Sequence, residues 1–223
     1  MGRSAVNGNC WKLGRGKRVL LSLAIIAATF AGLNWFDRVR AEAPEVAGPP
    51  IEYDHLANQE TDPFLFSGKL MDENHPQWGR YRKALHKYYD VRDCLLETEK
   101  GKEKPNLLLV DWRGLRSGVP ISVCAFRIAR SLKDLERIRQ WLIYHQFRVS
   151  ALNRIYGENF APKYKTQPVY NMQGSWSREQ YRRINSSWFA EITGFDPVYG
   201  YGLQFQFSDD LTTVGVNTMS SSE

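Results

Sequence analysis

An uncharged apolar run of 18 residues extends from Val19 to Phe36. As a helix rising ~1.5 Å per residue, it would span about 27 Å, just short of a typical hydrocarbon core. Five basic residues and no acidic residue precede the run, whereas acidic residues soon follow it. This asymmetry predicts a transmembrane helix with the amino terminus in the cytoplasm and the rest of the chain across the membrane.

A retained anchor and a cleaved leader are both compatible with this run. Val39 and Ala41 occupy the positions that a signal peptidase reads, so cleavage after Ala41 would leave a soluble periplasmic body. The long basic front region, the length of the run and Trp35 at an interfacial position favour a retained single-pass anchor. A buried core helix would show a polar stripe, which this run lacks. Either way, the body is expected outside the cytoplasm, which in a bacterial cell is the periplasm.

The chain is therefore divided into four segments. They are a basic cytoplasmic amino terminus at 1–18, a transmembrane anchor or uncleaved signal at 19–36, a Pro-rich acidic linker at 37–60, and an extracytoplasmic domain at 61–223. The linker has three prolines and no strong periodicity, which is typical of an extended spacer. The domain is long enough to bury a core of its own.

The net charge of +6 belongs entirely to the first 41 residues. That segment holds seven basic residues and one acidic residue, and the remaining 23 basic and 23 acidic residues cancel. A neutral body of mixed charge has little electrostatic attraction for phosphate. A nucleic-acid partner is therefore not expected.

Hydrophobic periodicity predicts two helices in the first half of the domain. Residues 74–97 form an amphipathic pattern, either as one helix or as two helices broken near Asp90. A second pattern runs through residues 131–147, where Ser131 is the predicted N-cap and Asp134 lies in the first turn. The apolar runs 106–112 and 119–128 resemble strands, the second a central one. With residues 147–156 as another strand, the pattern indicates a βαβ unit, whose crossover would be right-handed if the strands are parallel.

The sequence predicts mostly strands in the second half of the domain. Ser177 and Gln180 have the spacing of a capping box, which predicts a short helix. Strands are expected at 167–172 and 188–192, and residues 201–218 are expected to form a terminal hairpin. The predicted fold is α+β, a single domain with a mixed sheet and two or three amphipathic helices, behind one N-terminal transmembrane helix.

Three cysteines bear on the compartment. Cys10 lies on the predicted cytoplasmic side, where thiols stay reduced. Cys94 and Cys124 lie in the predicted extracytoplasmic domain and are candidates for a disulfide. Two buried free thiols are the alternative.

Neither a catalytic residue nor a metal or cofactor site is predicted from the sequence. The four histidines lack the short spacing of a metal pair, and no glycine-rich loop follows a predicted strand. His145 lies beside an apolar stripe, which favours a core-edge residue with one satisfied nitrogen. The candidate ligand-binding group is Asp111, Trp112, Arg113 and Arg116, whose guanidiniums suit a carboxylate or a glycan acid. A solvated loop with local ion pairs is the alternative reading of these residues.

The leading hypothesis is a membrane-tethered cell-envelope protein that binds another protein or a cell-wall component without catalysis. One alternative is an envelope hydrolase acting on glycan or peptide, because two carboxylates can cleave a glycosidic bond. Its carboxylate candidates are Asp111, Glu191, Asp196, Asp209 and Asp210. Another alternative is an accessory subunit of a membrane assembly.

Overall fold

The computed structural model describes residues 28, 29, 32, 46, 48–115, 118–157, 160–184 and 200–221. The chain divides into two compact units, Met1–Arg40 and Ala41–Glu223. In the first unit, residues 28, 29 and 32 are helical, and the rest of the predicted transmembrane segment 19–36 lies outside the described residues. Across the described residues, no helix combines the length and the apolar character that a membrane crossing requires.

The second unit is built on an antiparallel sheet. The strands of the described residues are β1 (Leu65–Phe66), β2 (Lys69–Leu70), β3 (Arg148–Val149), β4 (Asn153–Arg154), β5 (Tyr170–Trp176), β6 (Gly200–Phe207) and β7 (Thr213–Ser221). In the sheet, β3, β5, β6 and β7 lie in this order, and β4 also pairs with β5. A separate hairpin joins β1 to β2 through Ser67 and Gly68, both at positive φ, as a two-residue hairpin turn requires.

Six α-helices of the described residues accompany this sheet. Three of them have ten or more residues, and a 3-10 helix occupies Val91–Cys94. The α-helices are α1 (Trp78–Lys87), α2 (Glu97–Lys100), α3 (Trp112–Leu115), α4 (Val119–Leu132), α5 (Leu135–Tyr144) and α6 (Arg178–Ile184). The central helix α4 packs against β7 and also contacts α1 and the 3-10 helix.

The prediction of a central strand at 119–128 is wrong, because these residues form most of α4. Gly118 at φ 69° leads into the helix, and Pro120 lies in its first turn, where proline is tolerated. Residues 121–129 are all buried, including the polar side chains of Ser122 and Arg127. A helix that is buried on every side has the same apolar run as a central strand, and periodicity does not separate the two.

The predicted N-cap of the following helix is also wrong. Ser131 lies inside α4, where its Oγ donates to the carbonyl of Arg127 at 2.9 Å and accepts from Ala57 N at 3.0 Å. Asp134 is the residue that caps α5, accepting from Arg137 N at 3.0 Å. Lys133, at positive φ, separates the two helices.

Within the described residues, neither the predicted mixed sheet nor the predicted βαβ unit is formed. Every strand pair among the described residues is antiparallel, because the strand that the parallel crossover needed is the helix α4. The predicted strand at 106–112 contributes one isolated bridge, between Val110 and Leu95, before α3 begins. The α+β class itself is confirmed.

Local signals agree with the structure in three places. Of the two alternatives left open for residues 74–97, the structure shows the broken one, in which Asp90 caps the 3-10 helix, with a reciprocal bond from Asp90 N to Asp93. Ser177 and Gln180 form the capping box of α6. The strands β6 and β7 form the predicted hairpin, whereas the predicted strand at 188–192 lies outside the described residues.

The packed body includes residues that the sequence assigned to the linker. Ile51 is 8% exposed and Ala57 is fully buried. Asn58 forms an antiparallel bridge with Asp90. Residues 51–60 therefore line the body instead of acting as a free spacer.

Candidate functional site

Two cavities meet around Arg130 near the end of α4. Their volumes are about 420 Å³ and about 200 Å³, and both are lined by Arg130 and Thr212. We call them together the Arg130 groove. The larger cavity is lined by Pro63, Leu65, Arg130, Lys165, Thr166, Ser208, Asp210, Thr212 and Val214, and the smaller one adds His55, Ala129, Lys133 and Thr213.

The guanidinium of Arg130 is held by a buried carboxylate. Asp62 is 4% exposed, and its Oδ1 lies 2.7 Å from both Nε and Nη2 of Arg130. Its Oδ2 lies 2.7 Å from His55 Nε2 and accepts from Thr61 Oγ1 at 3.1 Å. Burial raises the pKa of Asp62, but the bonds with His55 and Arg130 outweigh it and hold the pKa below its usual value. Asp62 therefore stays ionised at neutral pH and orients Arg130.

The walls of the groove are tied together across long sequence distances. Gly68 N donates to the carbonyl of Val214 at 2.8 Å, and Thr166 Oγ1 donates to the carbonyl of Gly68 at 2.7 Å. Gly68 has φ +80°, and an added Cβ would lie 2.1 Å from the carbonyl oxygen of Thr166. Only glycine fits here, so this contact presets the shape of the larger cavity.

The acidic groups of the groove are engaged in local bonds. Asp210 Oδ1 accepts from Ser208 Oγ at 2.5 Å and from Thr212 N at 3.3 Å. The bond from Ser208, followed by smaller contributions from Thr212, lowers the pKa of Asp210 although partial burial opposes this. Asp210 therefore stabilises the turn between β6 and β7.

Two cations keep free donors in this groove. Nη1 of Arg130 donates only to the carbonyl of Thr213, at 3.5 Å, which is a weak bond. Lys165 is exposed and lies within 4.0 Å of no carboxylate among the described residues, although its charge helps to lower the pKa of Asp210 in the same cavity. Lys133, by contrast, lies 3.4 Å from Asp54. Arg130 and Lys165 can therefore receive an anionic group in the larger cavity.

The four residues of the ligand-binding group predicted from the sequence do not lie together on one exposed loop. Trp112 is 2% exposed, and its Nε1 donates to His145 Nδ1 at 3.3 Å, so it is a core residue. Asp111 Oδ1 accepts from Gly114 N at 2.9 Å and thereby stabilises the turn of α3. Arg113 is exposed, and Arg116 lies outside the described residues. The prediction of an indole available for binding is wrong, because the ring packs inside an aromatic cluster with Trp141 and Trp176.

Cys94 and Cys124 form a disulfide with a Cα–Cα distance of 5.5 Å. Both residues are buried, and the bond joins the 3-10 helix to α4. Neither sulfur is a thiolate nucleophile in this bonded state. No group of three or more acidic, histidine or cysteine side chains suited to a metal ion exists within the described part of the chain.

His145 is fully buried, in place of the predicted position at the edge of the core. Its ring lies 4.6 Å from the ring of Trp141 and 5.2 Å from that of Trp112. Nδ1 accepts a hydrogen bond from Trp112, which agrees with the prediction of one hydrogen-bonded nitrogen. Nε2 has no hydrogen-bond partner among the described side chains. Burial lowers the pKa of His145 to about 3, so the ring is neutral at physiological pH.

The chain matches no family model, no curated protein and no solved structure. The functional argument therefore rests on the residues of the groove.

The Arg130 groove was not predicted from the sequence. Its residues come from four separate segments, and no short motif connects Asp62, Arg130 and Lys165. One sequence signal was present. Arg127 and Arg130 stand three residues apart in an otherwise apolar run, and charged residues are rarely buried without partners. Their partners, however, become visible only in the folded chain.

Proposed function

We propose that this chain is a membrane-tethered cell-envelope protein whose extracytoplasmic α+β domain binds a protein or cell-wall ligand without catalysis. The observation that carries the proposal is the preformed Arg130 groove, in which a buried carboxylate orients a cation toward an open cavity. A site that is rigid before the ligand arrives loses little conformational freedom on binding.

The disulfide and the sequence before it support the proposed compartment. Disulfides persist in oxidising spaces outside the cytoplasm and are rare within it. The Cys94–Cys124 bond therefore favours an extracytoplasmic location for the body. The apolar run at 19–36 and its basic flank supply the means of export and tethering.

Binding is favoured over hydrolysis by the state of the acidic residues. A glycosidase needs two carboxyl groups that flank the scissile bond, one as acid and one as base or nucleophile. Asp62 is enclosed behind Arg130, Asp210 is bonded into its turn, and Asp111 stabilises the turn of α3. Glu191 and Asp196 lie outside the described residues.

Retention of envelope material tests the binding proposal. The full-length chain, purified in mild detergent and immobilised, is incubated with fluorescently labelled cell wall and, separately, with labelled envelope proteins. We expect label to be retained at a level above that of a heat-unfolded control, with no release of small labelled fragments. Absence of retention, or steady release of fragments, would contradict the proposal.

A reporter fusion tests the compartment. A reporter enzyme that is active only outside the cytoplasm is fused after Glu223. We expect activity from the full chain and none from the matched fusion that lacks residues 19–36. Activity that is confined to a cytosolic reporter would overturn the proposed location.

A further inference from the structure

We propose that the larger cavity of the Arg130 groove binds the free carboxyl-terminal end of a peptide whose last side chain is apolar. This inference rests on the proposed binding function and specifies its ligand. Three features of the cavity support it: the positions of its cations, its charge balance and its apolar wall.

Arg130 and Lys165 supply the carboxylate site. Asp62 occupies Nε and Nη2 of Arg130, which leaves Nη1 with only the weak bond to the carbonyl of Thr213. Lys165 lines the same cavity from another segment of the chain. A charge-assisted bond to a guanidinium with a fixed orientation is stronger and more directional than a bond to a mobile side chain.

The charge balance of the cavity favours a ligand with as little negative charge as possible. Its lining holds two cations, Arg130 and Lys165, and one carboxylate, Asp210, while the Asp62 carboxylate behind Arg130 brings the sum of the four side chains to zero. A peptide carboxylate carries a single charge, whereas a phosphate monoester carries ≈ −1.5 to −2 at neutral pH. The lining therefore matches a carboxylate better than a phosphate group.

An apolar wall adjoins the cations. Pro63, Leu65 and Val214 line the same cavity as Arg130, together with hydroxyl groups such as that of Thr166. A ligand that joins a carboxylate to an apolar side chain satisfies both surfaces at once. The volume of about 420 Å³ is within the range of small-ligand sites, so it suits the end of a peptide better than a folded surface.

Two sources would present this chemistry outside the cytoplasm. One is the carboxyl terminus of a protein partner, which ends in an L-residue. The other is a short cell-wall peptide that ends in a D-residue. The two sources share the carboxylate and the apolar side chain, and they differ in the chirality of the last residue.

Fluorescence anisotropy with synthetic peptides tests the proposal. The full-length chain in mild detergent is titrated against fluorescein-Gly-Gly-Ala-Val with a free carboxylate, against its carboxyl-terminal amide, and against its D-valine epimer. We expect a free acid to bind at least tenfold more tightly than the amide. Preference for the L-form indicates a protein terminus and preference for the D-form a cell-wall peptide, and both results support the carboxylate site.

Variants of the two cations locate the site. Lys165→Gln is expected to weaken binding of the free acid about tenfold without altering the weak binding of the amide. Lys163→Gln is the matched control, because Lys163 is exposed, lies two residues away and does not line the cavity. Arg130→Gln is expected to weaken binding further. This variant is used only if its circular dichroism spectrum shows that it is folded.

Two results would overturn the carboxylate site: equal binding of acid and amide, or full binding by Lys165→Gln. They remain distinguishable from failure of the proposed function. A chain that retains labelled envelope material, yet shows no carboxylate preference, is a binding protein with a different ligand. A chain that retains no envelope material contradicts the proposed function itself.

Discussion

Arg127 and Arg130 lie about one turn apart on α4, but their surroundings differ. Arg127 is fully buried; its Nη1 donates to the carbonyl of Asp62 at 2.7 Å, its Nε to the carbonyl of Tyr88 at 3.3 Å, and its Nη2 to Gln59 Oε1. Arg130 is 27% exposed and binds the Asp62 carboxylate. One residue, Asp62, thus supplies its backbone to the first arginine and its side chain to the second.

The difference shows how one helix can support both the core and a binding surface. Burial lowers the pKa of Arg127 to about 10, so it remains charged at neutral pH and needs every acceptor around it. Arg130 has a carboxylate behind it and open space in front of it. We therefore expect substitutions near Arg127 to affect stability and substitutions near Arg130 to affect binding.

Arg127→Met should have the largest effect. The change leaves the buried carbonyls of Asp62 and Tyr88, and the partly buried Gln59 amide oxygen, without their donor. We expect the free energy of unfolding to fall by about 3–5 kcal/mol, measured by urea denaturation. The control Arg82→Met, at an exposed position of α1, should change it by less than about 0.5 kcal/mol. A loss below about 1 kcal/mol for Arg127→Met would show that this network is not structural.

Removal of the disulfide should have the next largest effect. Cys124 lies one turn before Arg127, and its bond to Cys94 closes a loop with a sequence separation of 30. In the chain-entropy model, the Cys94→Ala, Cys124→Ala double variant should lose about 3–4 kcal/mol of unfolding free energy. The matched control is Cys10→Ala, which should unfold at the wild-type urea concentration. Equal midpoints for wild type and the double variant would contradict the expectation.

His145 should make stability depend on pH. Arg127 keeps its charge because acceptors surround it, whereas His145 has a nitrogen with no partner among the described side chains and stays neutral. Burial lowers its folded-state pKa to about 3, below the unfolded value of about 6.5, so acid favours the unfolded chain. This contribution is fully present above about pH 6.5 and is lost as the pH falls toward 3.

We expect this group alone to remove about 2 kcal/mol of unfolding free energy between pH 7 and pH 5. Urea denaturation at the two pH values measures the loss. His145→Phe should reduce the pH dependence by that amount, whereas His86→Gln, at an exposed position, should leave it unchanged. The same slope in His145→Phe as in wild type would assign the effect to other groups.

Lys165→Gln should have the smallest effect on stability. Lys165 is exposed and lies within 4.0 Å of no carboxylate among the described residues, so its loss should change the unfolding free energy by less than about 0.5 kcal/mol. Arg130→Gln should cost more, about 1–3 kcal/mol, because Asp62 would remain buried without its cation. Thermal denaturation of both variants measures the difference. A large loss for Lys165→Gln would make it a structural residue rather than a ligand contact.

Elements that depend on short-range chemistry were predictable from the sequence. The capping box of Ser177 and Gln180 and the break at Asp90 use side chains that bond to backbone groups a few residues away. In β6, Leu203, Phe205 and Phe207 alternate with glutamines, and this alternation predicts a strand with one face in the core, as the burial of the three apolar residues shows. Cysteine number and the predicted compartment made Cys94 and Cys124 candidates for a disulfide, with two free thiols as the alternative, and the structure contains the disulfide.

The tertiary structure alone decided the nature of α4 and the composition of the groove. Residues 119–128 are mostly apolar because residues 121–128 are all buried, and a buried helix and a central strand give the same apolar run. Asp62, Arg130 and Lys165 are far apart in sequence, and their proximity results from the packing of α4 on β7 and of the β1–β2 hairpin on Val214. Local sequence encodes hydrogen bonds between near neighbours, whereas the choice among long-range contacts depends on how the whole core is filled.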